Sequence, residues 1–381
     1  RSHRPRAPHR HARSRRDRAG GARHGRLPLY PARPVMEQEL EILGGQTLEE
    51  ALGDPGDTAQ PTEAETVLEE IGTRSALDIF GSQSTLEVAG KGAAQVYDLT
   101  FWMTLGFGLV FVLVMALVWL AWTRRRPAGA WWVWSGGIVL PLAAIATLMT
   151  ASTAALLAMT RSAPDALVIE VTGHQFWWDV VYDPQGAALR DANALILPAN
   201  RPVTLRLASD DVIHSFWVPS ISGKMDMIPG RVNELTITAT ETGQFRGQCA
   251  EFCGLSHPLM AFEVTVLPAA AFDAWLEDMG APAPDPARPD LVAGRAVFLE
   301  ACCAACHAIR GVAEGGRLGP DLTRLGARAS LGAGMWRMNQ GNVAAWIADV
   351  QDMKPGAQMP AYNHLSGPDL RNLSAYLVSL K

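Results

Sequence analysis

The sequence predicts a multidomain chain of 381 residues: a two-helix transmembrane hairpin, an all-β domain and a small all-α domain. Three observations carry that expectation. Leu99–Trp122 and Pro127–Thr160 are runs of 24 and 34 residues without a charge. At about 1.5 Å per residue each can cross a hydrocarbon core roughly 30 Å thick. Residues 163–268 then hold short β-branched runs between turn signals, and from residue 291 the apolar spacing becomes helical. A wholly soluble protein is excluded.

Before the hairpin lies a charged lead-in, residues 1–74. Residues 1–36 carry eleven Arg, four His and one Asp; residues 37–72 carry eleven acids and no Lys or Arg. The two blocks cancel, so the net charge of -5 gives no sign of a nucleic-acid surface. The lead-in reads as polar and flexible. Its first methionine is Met36, and residues 1–35 fit an upstream extension as well as native sequence.

The hairpin occupies residues 75–162, with helices expected at about 97–122 and 131–158. Arg124, Arg125 and Arg126 between them place that loop in the cytoplasm, and hence the N-terminus and everything after the hairpin outside. Trp102, Trp119, Trp122, Trp131, Trp132 and Trp134 sit near the run ends, where indoles favour the membrane interface. In the β domain, strands are expected at Ala166–Val171, Val203–Leu207, Glu234–Thr238 and Phe262–Val266, as a sandwich or barrel. Residues 269–290, rich in proline toward their end, read as a semi-rigid linker to the helical domain, residues 291–381.

All five cysteines lie in two tight groups, Cys249/Cys253 and Cys302/Cys303/Cys306. Clustering beside histidine points to metal or haem ligation rather than a disulfide framework. In the first group, Cys249, Cys253, His257 and Met260 fall within twelve residues. Two thiolates, an imidazole and a thioether suit copper in an electron-transfer site, and a second thiolate can bridge two ions. His214, on an upstream strand, is placed to supply the other imidazole. A disulfide or half a zinc site fits the Cys pair alone, though zinc has no need of Met260.

Here the chain resembles cytochrome c oxidase subunit II. Cys249–Met260, Val212–Phe216, Gly173–Trp178 and the preceding hairpin carry the resemblance over roughly residues 75–268. It implies a cupredoxin-like domain holding the two copper ions of a copper A centre. By that resemblance Cys249 and Cys253 bridge both ions. His214 and Met260 complete one ion; His257 and the Glu251 carbonyl complete the other. The Glu251 side chain would ligate a magnesium or manganese ion shared with subunit I. Phe176, Trp177 and Trp178 resemble the family's exposed tryptophan patch where electrons arrive, with interface packing as the alternative. The family often carries a glutamate near the start of the second membrane helix, and residues 127–160 contain no acid.

Cys303-Ala-Ala-Cys306-His307 is a covalent haem c attachment motif. Met359, before Pro360, is the candidate sixth ligand; Met335, Met338 and Met353 compete but read as packing. Met/His ligation suits electron transfer. The segment is similar to a cytochrome c domain, in which Pro320 would accept from His307. Gly294 and Phe298 would then meet Tyr376. Cys302 reads as a buried small residue, His174 as structural and His364 as surface.

The order of domains is similar to oxidases whose subunit II carries a fused cytochrome c. That resemblance implies a bacterial inner-membrane protein with its copper and haem domains in the periplasm. Its partners would be subunits I and III and an external donor such as a c-type cytochrome. Electrons would reach subunit I, where oxygen is reduced and protons are pumped. A nitrous oxide reductase would need a large catalytic domain, and a quinol oxidase subunit would lack the copper ligands. A membrane-anchored carrier without subunit I remains as the non-enzymatic reading.

Overall fold

A computed structural model describes residues 83–124, 129–159, 163, 166–183 and 185–381. The charged lead-in, 1–74, and Arg125 and Arg126 of the inter-helix loop lie outside the described residues.

Helix α1 spans Lys91–Arg124, starting six residues before the expected 97. The reason lies in its first turn, which packs on the β domain rather than in the apolar run. A Cβ on Gly90 would come within 2.4 Å of the Ile221 carbonyl oxygen, and one on Gly92 within 2.9 Å of Ser222 Oγ. Backbone N–H groups of Ala89, Lys91 and Ala93 donate to Ser220, Thr238 and Ile221. The second span is one helical run, as expected, with a π-helical turn inside it: α2 (Ala130–Trp134), the π turn (Ser135–Val139) and α3 (Leu140–Met159). Gly136 and Gly137 in that turn weaken the α ladder. Both spans are long and apolar enough to cross a membrane, and their most apolar stretches are not buried inside the protein.

Ten strands then build two five-stranded sheets. They are β1 (Leu167–His174), β2 (Trp177–Tyr182), β3 (Leu189–Ala192), β4 (Ala194–Pro198) and β5 (Val203–Ser209). β6 (His214–Trp217), β7 (Met225–Met227), β8 (Asn233–Ile237), β9 (Gly243–Cys249) and β10 (Ala261–Leu267) follow. The sheets run β3-β2-β1-β5-β8 and β4-β10-β9-β6-β7. Their inner faces bury Ile169, Val171, Leu205, Leu207, Phe216 and Val264, the alternate positions of strands with one face inward. This is the cupredoxin-like domain.

The expected linker begins instead as helix α4, Ala269–Asp278. Phe272, Trp275 and Leu276 recur at helical spacing and pack on the β core; Phe272 is fully buried, its ring 6.5 Å from Tyr182. The proline-rich character starts only at Pro282, after the helix has ended.

Among the helices of the C-terminal domain are α5 (Pro289–Glu300), α6 (Gln340–Ala348), α7 (Val350–Met353) and α8 (Gly367–Ser379). α5 and α8 cross at Gly294, where a Cβ would lie 2.1 Å from the Asn372 carbonyl oxygen and 2.7 Å from Tyr376 Cβ. Phe298 and Tyr376 are buried beside that crossing. Ser366 caps α8 by accepting from the Asp369 N–H. A short hairpin, β11 (Ser330–Leu331) and β12 (Trp336–Arg337), carries this domain onto the β domain. The Ala261 N–H donates to the Ala333 carbonyl, and Arg246 Nη1 donates to that of Gly334, 2.9 Å away. Arg328 pairs with Asp191 at 2.7 Å, both buried.

Candidate metal and haem centres

Three pieces of the sandwich bring the copper-type donors together. His214 opens β6, Cys249 closes β9, and the loop from Ala250 to Met260 supplies the rest. β6 and β9 are neighbours, with Phe216 opposite Cys249, so the sheet register itself brings His214 to the thiols. Ligand atoms of His214, Cys249 and Cys253 lie within 4.8 Å of one another. Cys249 Sγ is 3.8 Å from His214 Nδ1 and 3.1 Å from the Glu251 carbonyl oxygen. Cys253 Sγ is 3.6 Å from His257 Nδ1 and 3.8 Å from Met260 Sδ. Each sulfur thus has one imidazole and one weaker donor beside it.

His214, Cys249, Cys253 and Met260 are buried, while His257 and Glu251 are half-buried. A hydrogen bond from the Cys253 thiol, aided by His214, draws the Cys249 thiol down, and the same bond pushes Cys253 up. One sulfur is therefore held ready as the thiolate, the form that binds metal. Six donors of this kind exceed the four of a closed zinc site and suit two soft ions sharing two sulfurs.

Asp211 escaped the sequence reading. Its Oδ1 lies 2.8 Å from His214 Nε2, and its Oδ2 accepts from the Gln175 N–H at 2.6 Å. Partial burial works against the charge, yet bonds from His214, Val212 and Gln175 hold the carboxyl below its usual range. The arrangement fixes the His214 ring with Nδ1 toward the sulfurs, as a second ligand shell does. A carboxylate three residues before a candidate ligand was the available signal.

In the helical domain Cys303, Cys306, His307 and Met359 line one cavity of about 310 Å³. Met335, Met338 and Met353 do not line it. Phe298, Val343, Ile347 and Leu373 make its inner wall apolar. His307 Nδ1 lies 2.8 Å from the Pro320 carbonyl, and burial holds the ring's pKa down. A neutral imidazole donating from Nδ1 leaves the Nε2 lone pair free to bind a metal. Gly319 permits this, since a Cβ there would stand 2.5 Å from His307 Cε1. An apolar cavity with two thiols and one imidazole on one segment and a thioether on another fits a covalently held haem.

Part of the cavity's wall belongs to the β domain and includes His174, Gln175, Phe176, Trp177, Asn193 and Asp211. The rings of His174 and Trp177 stack at 4.3 Å. This corrects the exposed aromatic patch. Side chains alternate along β2, so Trp178 points inward and is 1% exposed, packed 5.0 Å from Phe262. Phe176 is also buried, and Trp177 is half-buried against the helical domain. Cys302 is likewise corrected: it is exposed, because its left-handed φ of 60° turns it out ahead of the Cys303 turn. His364 is exposed as expected.

Comparison with known proteins bears on both centres. A family model for the periplasmic domain of cytochrome c oxidase subunit II matches residues 182–267, and a cytochrome c model matches residues 291–381. Cytochrome c oxidase subunit 2 of Alkalihalophilus pseudofirmus is 36% identical over 315 residues, 78% of this chain and 91% of that one. The subunit 2 of Bacillus subtilis is 36% identical over 255 residues, covering 64% of this chain and 70% of its own. The crystal structure of the periplasmic domain of subunit II of the Bradyrhizobium japonicum oxidase aligns at 32% identity and a TM-score of 0.30. It covers 32% of this chain and 96% of that one.

Proposed function

Because the chain belongs to the cytochrome c oxidase subunit II family and ends in a cytochrome c domain, we propose that it feeds electrons to the oxygen-reducing subunit of a haem-copper oxidase. The observation that carries this reading is the convergence of six donors at Cys249 and Cys253 with a haem-type cavity beside them. The copper A ions and haem c that these residues would hold supply reversible one-electron chemistry. The path proposed runs from an external c-type cytochrome to the helical domain, then the β domain, then subunit I, where oxygen is reduced with proton pumping.

The chain's own residues hold and shield. Cys249 and Cys253 would hold the copper ions through their two sulfurs. His214 and Met260 would serve one ion, and His257 and the Glu251 carbonyl would serve the other. The Glu251 carboxylate is left for a magnesium or manganese ion shared with subunit I. Cys303 and Cys306 would hold the haem covalently, His307 and Met359 would supply its iron with donors, and Pro320 would orient His307. Burial of His214, Cys249, Cys253 and Met260 keeps water from the copper donors and limits rearrangement when an electron arrives. Phe252 and Leu255, 75% and 73% exposed on the loop carrying His257, form an apolar face for subunit I. Subunit III completes the assembly, in a bacterial inner membrane with the β and helical domains in the periplasm.

Copper EPR and metal analysis of the full chain purified from membranes test this. Two coppers per haem and one unpaired electron shared between both coppers are expected. A mononuclear copper spectrum, or zinc in its place, would overturn the assignment.

A further inference from the structure

Lys354 is 2% exposed and sits where the two domains meet. Its Nζ donates to the Phe176 carbonyl of the β domain at 2.7 Å and to the Gly332 carbonyl of the helical domain's hairpin at 2.8 Å. Among the described residues no carboxylate lies within ion-pair distance of it. Burial works against the charge and pulls this amine down to about 7, with the Cys253 sulfur the one nearby group that favours the ammonium. Two carbonyls could be bridged more cheaply by a neutral donor, so the position calls for a reason.

The surroundings supply one. Lys354 opens the segment 354–359 that ends at Met359, a residue of the haem cavity. The next residue, Pro355, accepts through its carbonyl from Ser256 Oγ at 2.6 Å; Ser256 immediately precedes His257. The Gln175 side chain, beside Phe176, donates to the Cys253 carbonyl at 2.6 Å. The Phe176 ring fills the space between two glycines, one from each side. A Cβ on Gly254 would approach it to 3.2 Å, and one on Gly356 to 3.4 Å. Gly356 also takes a left-handed φ of 80°, which favours glycine. Two short routes therefore join the Met359 segment to the loop carrying Cys253 and His257. One runs through Lys354, Phe176 and Gln175, the other through Pro355 and Ser256.

We propose that Lys354 is a positioning residue: it clamps segment 354–359 onto the β1–β2 turn, holding the haem-side ligands at one fixed separation from the copper-side ligands. The proposal rests on the electron-transfer reading above. Tethering alone keeps the domains close but leaves their orientation free. Transfer between them needs one orientation, and the clamp provides it.

The test uses the full chain in its oxidase complex, with Lys354→Met, Lys354→Arg and Ser256→Ala. Haem-to-copper electron transfer is followed by flash-initiated absorbance, and amide exchange is followed at 175–177 and 354–358. Lys354→Met is expected to slow the transfer roughly tenfold. Haem absorption, the copper EPR signal and both potentials should stay unchanged, while amide protection in both segments falls. Lys354→Arg, which keeps a cationic donor, should recover most of the rate; Ser256→Ala should give a smaller loss of the same kind. Fast wild-type transfer that Lys354→Met leaves within twofold, with protection intact, overturns the clamp alone. A wild-type chain with no haem-to-copper transfer overturns the functional reading and the clamp together.

Discussion

Asp211 touches both the His214 ring and the β1–β2 turn, through separate carboxylate oxygens. A ligand whose far nitrogen is fixed pays less entropy on binding metal and presents the right tautomer. Asp211→Ala is therefore expected to weaken copper binding about 10- to 100-fold, read by competition with a chelator, while the β domain still folds. Unchanged affinity would show that packing alone orients His214. The donors themselves were legible in sequence because soft ligands cluster within twelve residues. Lys354 was not, since its acceptors are backbone carbonyls from Phe176 and Gly332, which no sequence spacing marks. Trp178 was misplaced for a different reason: two adjacent tryptophans look alike until the register sends one to each face of β2.

At the scale of elements, β1, β5, β8 and β10 were legible because each presents a β-branched alternating run. Strands β6 and β7 are only four and three residues long, too short to show a period. Helix α4 was absorbed into a linker because the prolines after residue 281 dominated the composition around it. Yet Phe272 is fully buried, with Trp275 at 5.7 Å and Tyr182 at 6.5 Å. The helix thus caps the lower end of the β core as well as aiming the chain toward the helical domain. Phe272→Ala should destabilise the β domain by about 3–5 kcal/mol, the range for emptying a buried aromatic site. Denaturant unfolding followed by tryptophan fluorescence measures it. A loss under about 1 kcal/mol would mean that α4 merely lies against the core.

For the molecule as a whole, the contact between the β and helical domains has a pH dependence that follows from its charges. Glu263 on β10 faces the helical domain's Ser330 and Ala329, with Arg246, Asp191 and Arg328 around it. Arg328 is committed to Asp191, and Glu263 Oε1 is buried without a hydrogen-bond partner. Burial pushes the Glu263 carboxyl up to about 7, from 4.5 in an open chain. Between those values the docked state keeps a proton that the undocked state releases, so docking is strongest at the acid end. Its contribution falls as pH rises through that window and is gone above about 7. Glu263→Gln mimics the protonated form at every pH. Amide exchange at Ala261, whose N–H binds the Ala333 carbonyl across the contact, reports the docking. The wild type and Glu263→Gln should exchange alike at pH 4, below the open-chain value of 4.5. By pH 8 the wild type should exchange on the order of a hundredfold faster than Glu263→Gln, since docking weakens about tenfold for every step of one in pH across that window. Equal ratios at both pH values would mean that Glu263 titrates normally and that the contact between the two domains does not depend on its charge.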